Sequence, residues 1–269
     1  MLRRRVAMPQ GRINKKEFKL KQELWLANDK HTWLVNVDPN AARFISVLEK
    51  APKRLEDFCT VNQGLRTGDN AKYLAESDRG RKWERAAGGA EVHRYMPIQD
   101  GLWVYYEPAE LDAPRKRELF DREEKIVVQE IRNITLDRRI VATLDKKRTF
   151  CLQSTNVVGL KENAQVDIRF IMGVISSTLM NKYFRLRFPA NNHIASNQLA
   201  SLPIPLPTKA EETRIAALVD RLLATTERLN TAHAEHEKVA LAKVQDALDE
   251  QIERMVCNLF GVQFQEAAG

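Results

Sequence analysis

The chain has 269 residues, 43% hydrophobic and 29% charged, a length for one body with a substantial appendage and a composition that excludes both a disordered and a membrane-spanning polypeptide. Its longest nearly apolar stretch, Phe170 to Ile175, stops at Ser176 and Ser177, far short of the roughly 20 residues that a bilayer requires. Residues 208–269 carry 7 Lys+Arg against 11 Asp+Glu, leaving 36 against 25, a net of +11, in residues 1–207, so the basic excess that would attract a polyanion belongs to the first three quarters.

In chain order, residues 1–24 read as an N-terminal linker or extension. Arg3, Arg4 and Arg5 are followed by no apolar run, so no secretory signal is read and the expected compartment is the cytoplasm. Cys59, Cys151 and Cys257 are odd in number and scattered without a CxxC pair, which predicts idle thiols rather than disulfides or a zinc site. Arg79 to Gly89, charged and holding Gly80, Gly88 and Gly89, reads as a mobile loop. Leu102 to Tyr106, Ile126 to Ile131, Ile140 to Leu144 and Thr149 to Leu152 are β-rich runs, and the last two flank Asp145-Lys146-Lys147-Arg148 as a hairpin would. Arg115 to Glu124 reads as helical. Asp167 is placed to cap a helix running through Phe184.

The main boundary is Leu202-Pro203-Ile204-Pro205-Leu206-Pro207, whose alternating prolines forbid helix and favour an extended strap. Thr208 and Glu211 then form a capping-box pattern. Apolar residues recur at three- and four-residue steps from Ile215 to Val256, weakening across Asn230 to Lys238, with Gly261 as a stop. Two helices folded against each other are therefore expected, in preference to one long helix. The predicted fold class is α+β: a mixed, β-rich body over 25–207 followed by a C-terminal helical segment over 208–262. No repeat of fixed period is visible.

Three polar sets carry candidate chemistry. In Val61 to Asn70, Gly64 and Gly68 bracket Leu65-Arg66-Thr67; such a loop lets backbone approach a ligand and presents Arg66, Thr67 and Asn70, where Arg suits guanine and Asn adenine. An ordinary turn is the simpler alternative. Arg185, Arg187, Asn191, Asn192, His193, Ser196, Asn197 and Gln198 combine cations with amides, the chemistry that grips phosphates and reads base edges; a polar surface loop explains them equally. Lys125, Gln129, Arg132, Asn133, Arg138 and Arg139 lie on or beside a strand, and a solvated strand face accounts for them nearly as well. Asp112, Glu123 and Lys125 fit the loose D…ExK spacing of Mg-dependent nucleases. His233 and His236, three apart on a helix, fit a solvated surface better than a metal site. His31 and His93 have no assignable partner, and Trp25, Trp33, Trp83 and Trp103 suit packing better than base stacking.

The segment Asn62-Gln63-Gly64-Leu65-Arg66-Thr67-Gly68 resembles the glycine-bracketed loop of TaqI-like C-terminal specificity domains, found in N6-adenine DNA methyltransferases and fused restriction-modification enzymes and related to type I specificity subunits. Further segments fall in that family's order: Arg94-Tyr95-Met96-Pro97 before Leu102 to Tyr106, Pro114-Arg115 before Leu119-Phe120, Lys125 to Gln129, and Leu199 to Pro205. The stretch Asp249 to Gly261 is similar to the family's ending. The resemblance covers roughly residues 25–262. It implies a target-recognition module for double-stranded DNA, with S-adenosylmethionine and the catalytic Asn/Asp-Pro-Pro-Tyr/Phe motif in a methyltransferase domain or subunit elsewhere.

Neither that tetrapeptide nor a Gly-rich cofactor loop occurs in this sequence. The expectation is therefore a module without catalysis or cofactor of its own, either a piece of a longer enzyme or a separate specificity subunit. On this reading Arg66, Thr67 and Asn70, then Arg132, Asn133, Asn191, Asn192 and His193, contact bases, while Lys125, Arg185 and Arg187 hold phosphates. Residues 208–262 would dock on the methyltransferase domain or a partner helix; no membrane is involved. A helical protein-binding adaptor, basic only incidentally, is the competing class.

Overall fold

The computed structural model describes residues 3–7, 13–17, 39–189 and 192–265. The readings made of Trp25, His31, Trp33 and Asn191 lie outside the described residues. Strands β1 (Arg3–Ala7) and β2 (Ile13–Glu17) pair antiparallel. From residue 39 the order is α1 (Pro39–Leu48), β3 (Lys53–Arg54), the single turn α2 (Leu55–Phe58), β4 (Cys59–Gln63), the turn α3 (Asn70–Tyr73), β5 (Leu74–Ala75), β6 (Trp83–Ala87), β7 (Trp103–Tyr105), β8 (Lys125–Gln129), β9 (Ala142–Asp145), β10 (Phe150–Cys151) and β11 (Thr155–Leu160). Helices α4 (Ile168–Ile175), α5 (Thr178–Arg187) and α6 (Ser196–Ala200) follow, then β12 (Pro203–Ile204) and the long helices α7 (Lys209–Thr231) and α8 (Glu235–Phe260). The class is α+β, with sheets in the body and the long helices at the end.

The central sheet has the order β4-β11-β8-β9, antiparallel throughout, with Val157 opposite both Asn62 and Val127. It separates two cores. Ile126, Val128 and Val158 point into the larger one, which α1, α4, α5, α7 and α8 complete, whereas Val127 and Val157 point into the smaller one. Burial on both faces is why β8 reads Ile126-Val127-Val128 with no polar alternation. The second sheet, β10-β6-β7-β5, closes the smaller core, in which Phe150 lies 4.6 Å from Phe120 and 4.8 Å from Tyr106 between ring centroids.

Four local expectations change. Residues 79–89 are not a loop throughout: Trp83–Ala87 is β6, paired antiparallel with β7, because Ala86 and Ala87 are needed in the smaller core. Ile140 to Leu152 is not a hairpin. β9 stays in the central sheet while β10 pairs parallel with β6 in the other, and Asp145 organises the crossing by accepting the Thr149 N–H at 2.9 Å and hydroxyl at 2.8 Å. The helix expected from 167 to 184 is two, since Ser177 leaves the helix and caps α5 through the Met180 N–H; Asp167 does cap α4. Arg115 to Glu124 holds only the 3-10 turn Arg117–Leu119, with Phe120 drawn into the smaller core.

The proline strap is extended as expected, with β12 paired to β3. Thr208 caps α7 in a reciprocal box with Glu211, and Gly261 ends α8 at φ +66°. The chain breaks at 232–234 and α7 and α8 pack on each other. Ile215, Val219 and Leu222 of α7 and Leu248, Ile252 and Val256 of α8 share the larger core with α4. The outer half leaves Val239 and Val244 exposed. All three cysteines are free and buried, and burial pushes each thiol up to about 12, so none is a reactive thiolate.

Candidate nucleic-acid interface

The segments that the sequence singles out leave the central sheet at one end, formed by the last residues of β4 and β8 and the first of β11. Gly64 N donates to Thr155 O at 2.9 Å, and Leu65 N to Cys151 O at 2.8 Å. Across β11, Asn156 Nδ2 donates to Ile194 O at 2.7 Å while Ser196 Oγ donates to Asn156 Oδ1 at 2.8 Å. Ile194 N then reaches Glu130 O at 2.7 Å, and Arg132 N reaches Asn192 O at 2.8 Å. Buried Asn156 thus anchors the amide-rich segment to β11, whereas the glycine-bracketed segment is held by the neighbouring Thr155 and turns to the other face of the sheet, Leu65 entering the smaller core and Ile194 the larger. Sequence reasoning passed Asn156 over, although an amide opening the run Thr155-Asn156-Val157-Val158 was a visible signal.

In the segment 64–70 the two glycines serve the chain's own packing. A Cβ on Gly64 would lie 2.2 Å from Leu152 O and 2.3 Å from Cys151 O, and Gly68 adopts φ +84°, a conformation that disfavours every side chain. Thr67 is buried, and its hydroxyl donates to Asn70 Oδ1 at 2.6 Å. This corrects the assignment of Thr67 to bases: its polar atom is satisfied inside the turn. Arg66 pairs through its backbone with Ala113 and through its side chain with Asp112, yet that side chain is 55% exposed. Arg66 and Asn70 both reach the surface.

The 131–139 segment between β8 and β9 is the most exposed stretch of this end. Asn133 Oδ1 accepts the Thr135 N–H and hydroxyl at 2.9 Å each, and Asn192 Oδ1 accepts the Ile134 N–H at 3.0 Å. Around these turns Ile131, Ile134 and Leu136 are 54%, 41% and 40% exposed. His193 lies beside them, its Nδ1 2.9 Å from Glu130. Arg185, on the last turn of α5, pairs with Asp137 at 2.8 Å, and both side chains are open to solvent. Asn133, Asn192, His193 and Arg185 therefore share one surface with the half-buried Arg132.

Two cations fall away from that surface. Lys125 is fully buried: its Nζ donates to Phe120 O at 2.8 Å and to Asp145 at 2.5 Å. It sits at the opposite end of the sheet and cannot hold a phosphate. Arg187 is mostly buried, its Nε 3.6 Å from Glu49 and its guanidinium 5.3 Å from the Phe188 ring centroid; it props α5 against α1. Gln129 and Arg139, from the same polar set, are also buried, and Gln129 donates to Gly89 O and Val92 O to join the two cores. Neither solvent nor ligand was the reason for those residues.

The same observations remove the nuclease alternative. Lys125 is held away from solvent, and Asp112 is engaged by Arg66, so Asp112, Glu123 and Lys125 do not form a metal-and-lysine centre. His233 and His236 are exposed at the turn between the long helices.

Residues 85–204 match the family of TaqI-like C-terminal specificity domains. The match takes in 131–139 and 192–198 and leaves Arg66 and Asn70 before its start. The match ends at residue 204, within the proline strap. No curated protein matches the chain. Among solved structures it is similar to the type IIL restriction-modification enzyme MmeI in complex with DNA, at 12% identity and a TM-score of 0.54, covering 79% of this chain and 34% of that one. It is also similar to the HsdS subunit from Thermoanaerobacter tengcongensis, at 11% identity and a TM-score of 0.42, covering 81% of this chain and 50% of that one. The chain spans about a third of the MmeI chain, and the likeness is one of fold. Among the described residues no helix is long and apolar enough to cross a membrane.

Proposed function

We propose that this chain recognises double-stranded DNA for a restriction-modification enzyme, supplying target choice while another domain or subunit performs the chemistry. The observation that supports the reading is that three cation- and amide-bearing segments leave the same end of the central sheet, the amide-rich one tied to β11 through Asn156 and to the start of 131–139 through backbone bonds, with these two inside the specificity-domain match. Arg132, Asn133, Asn192 and His193 are assigned to base edges, as are Arg66 and Asn70 of the glycine-bracketed segment; Arg185 is assigned to phosphate. Arg66 and Arg185 each sit in an exposed ion pair, which a phosphate or a base edge can replace at little cost.

The parent activity is proposed to be that of an N6-adenine methyltransferase or methyltransferase-endonuclease. S-adenosylmethionine and the catalytic motif would lie in the methyltransferase domain or subunit. Adenine must leave the helical stack to be methylated, and a module gripping the duplex helps hold that distortion, which costs a few kcal/mol. Residues 208–262 form a functional unit rather than a separately folded domain, because their inner half belongs to the body's core. The outer half, with Val239 and Val244 uncovered, is the part that would meet the methyltransferase domain or a partner helix.

The test is titration of a labelled random-sequence duplex at two salt concentrations. Each phosphate contact adds about −0.9 to the slope of log affinity against log salt, so Arg185 alone predicts a loss of at least roughly threefold between about 50 and 200 mM salt. Feeble binding with no salt slope would instead support the protein-binding adaptor.

A further inference from the structure

The exposed 131–139 segment is wired to the helical pair by a continuous polar path. Arg132 Nη2 donates to Arg138 O at 3.1 Å, folding the segment on itself. Arg138 then reaches inward: Nη1 donates to Ser176 O at 2.6 Å, and Nη2 to Thr178 Oγ1 at 3.2 Å. Thr178 in turn donates to Glu253 of α8, its N–H to both carboxylate oxygens at 2.7 and 2.8 Å and its hydroxyl to Oε1 at 2.9 Å. One helical turn before Glu253, Asp249 accepts two bonds of 2.6 Å from Arg94, whose Nη2 also reaches Ser176 O at 3.3 Å. The carbonyl that ends α4 thus receives two guanidinium groups, one from the exposed segment and one tied to α8.

The chemistry of this path has a direction. A carboxylate only accepts, so Glu253 obliges the Thr178 hydroxyl to donate to it, which leaves the oxygen lone pairs for Arg138. Glu253 and Ser176 are buried. A misplaced partner there leaves a desolvated polar group unpaired, so the arrangement is held to one geometry.

We infer that Thr178 and Glu253 are positioning residues for the 131–139 segment, through which the helical pair sets where Arg132 and Asn133 stand on the candidate DNA surface. The DNA part of this inference rests on the function proposed above; the mechanical part does not. By reciprocity, whatever docks on the helices and shifts α8 alters the segment, and duplex bound at the segment alters docking by the same factor.

The experiment compares the full chain with Thr178→Val, which deletes the relay hydroxyl but keeps the N–H bonds to Glu253, and with Thr178→Ser, which restores the hydroxyl. Hydrogen exchange at the Ile134 and Leu136 amides is expected to quicken about tenfold in Thr178→Val, while β8 and β11 stay protected, and to return in Thr178→Ser. Affinity for a fluorescein-labelled random duplex is expected to fall and recover in parallel. Unchanged exchange at 131–139 in Thr178→Val overturns the inference. Faster exchange with unaltered duplex affinity supports the relay and overturns the DNA assignment of the segment. If Thr178→Val also exposes β8, Arg138→Lys, which keeps the charge but loses the two-armed reach, is judged by the same two amides.

Discussion

The two ends of the central sheet use similar side chains to opposite purposes. At one end Lys125 and Thr149 are buried and both bonded to buried Asp145; at the other Asn133, Asn192 and His193 are exposed and Arg132 is half-buried, each side chain bonded to a neighbour at that end. A Lys or Arg next to a strand is thus not evidence of a ligand until its charged atoms are placed. A buried cation is useful only as half of a pair, whereas an exposed one, tethered through its backbone, keeps its head available.

The largest effect expected from breaking this contrast is at Asp145. Burial alone would raise its carboxyl, but the charge and hydrogen bond of Lys125, with the bonds from Thr149, outweigh burial and hold it below the ordinary 3.8. A carboxyl lowered on folding contributes stability that is present above its unfolded value and lost as pH falls through the folded one. Asp145→Asn strands the Lys125 charge and is expected to cost about 3–5 kcal/mol at neutral pH, with a correspondingly shallower acid dependence below pH ~4. Urea unfolding at several pH values measures both, and equal acid sensitivity in the two proteins would contradict the assignment.

Next comes Gly64→Ala, at the other end. The added Cβ meets two carbonyl oxygens at 2.2 and 2.3 Å, backbone that has no rotamer to relax into, and roughly 3 kcal/mol is expected to be lost. Its thermal midpoint should fall well below that of the wild type. If stability holds, the glycine is there for a ligand after all.

A paired test separates neighbouring arginines on α5. Arg187→Ala removes a mostly buried prop from Glu49 and is expected to destabilise by about 1–3 kcal/mol. Arg185→Ala should leave stability within about 0.5 kcal/mol while weakening every duplex alike and reducing the salt slope by roughly 1. Circular dichroism melts and duplex titrations on the same samples read the two effects; interchanged results would reverse their roles.

The pattern of what was legible follows from these contrasts. The long helices, their break, the Thr208 cap and the proline strap were readable because each is specified by residues within a few positions: periodic apolar residues, a capping pair, alternating prolines. The β10 crossing was not, because Thr149 to Leu152 has strand composition whichever sheet receives it, and the choice is made by Asp145 and by the smaller core. Residue types of the candidate site were visible, yet Lys125 and Arg187 are cations like Arg132 and Arg185. What divides the two sets is burial, a property of partners distant in sequence: Asp145 for Lys125, Glu49 for Arg187.

The smallest expected effect on the fold, and the sharpest on function, is at Arg66. Its pair with Asp112 is exposed on both sides, and such pairs contribute no more than about 1 kcal/mol. Its backbone, paired with Ala113, does not depend on the side chain. Arg66→Ala should therefore melt nearly as the wild type does. Selection of bound duplexes from a randomised pool is then the informative measurement: an arginine that reads a guanine loses about 1–3 kcal/mol of discrimination at that base pair alone when truncated. Asp112→Ala frees the same guanidinium and should leave the selected sequence intact. A uniform loss across all sequences would move the proposed role of Arg66 from base reading to phosphate binding.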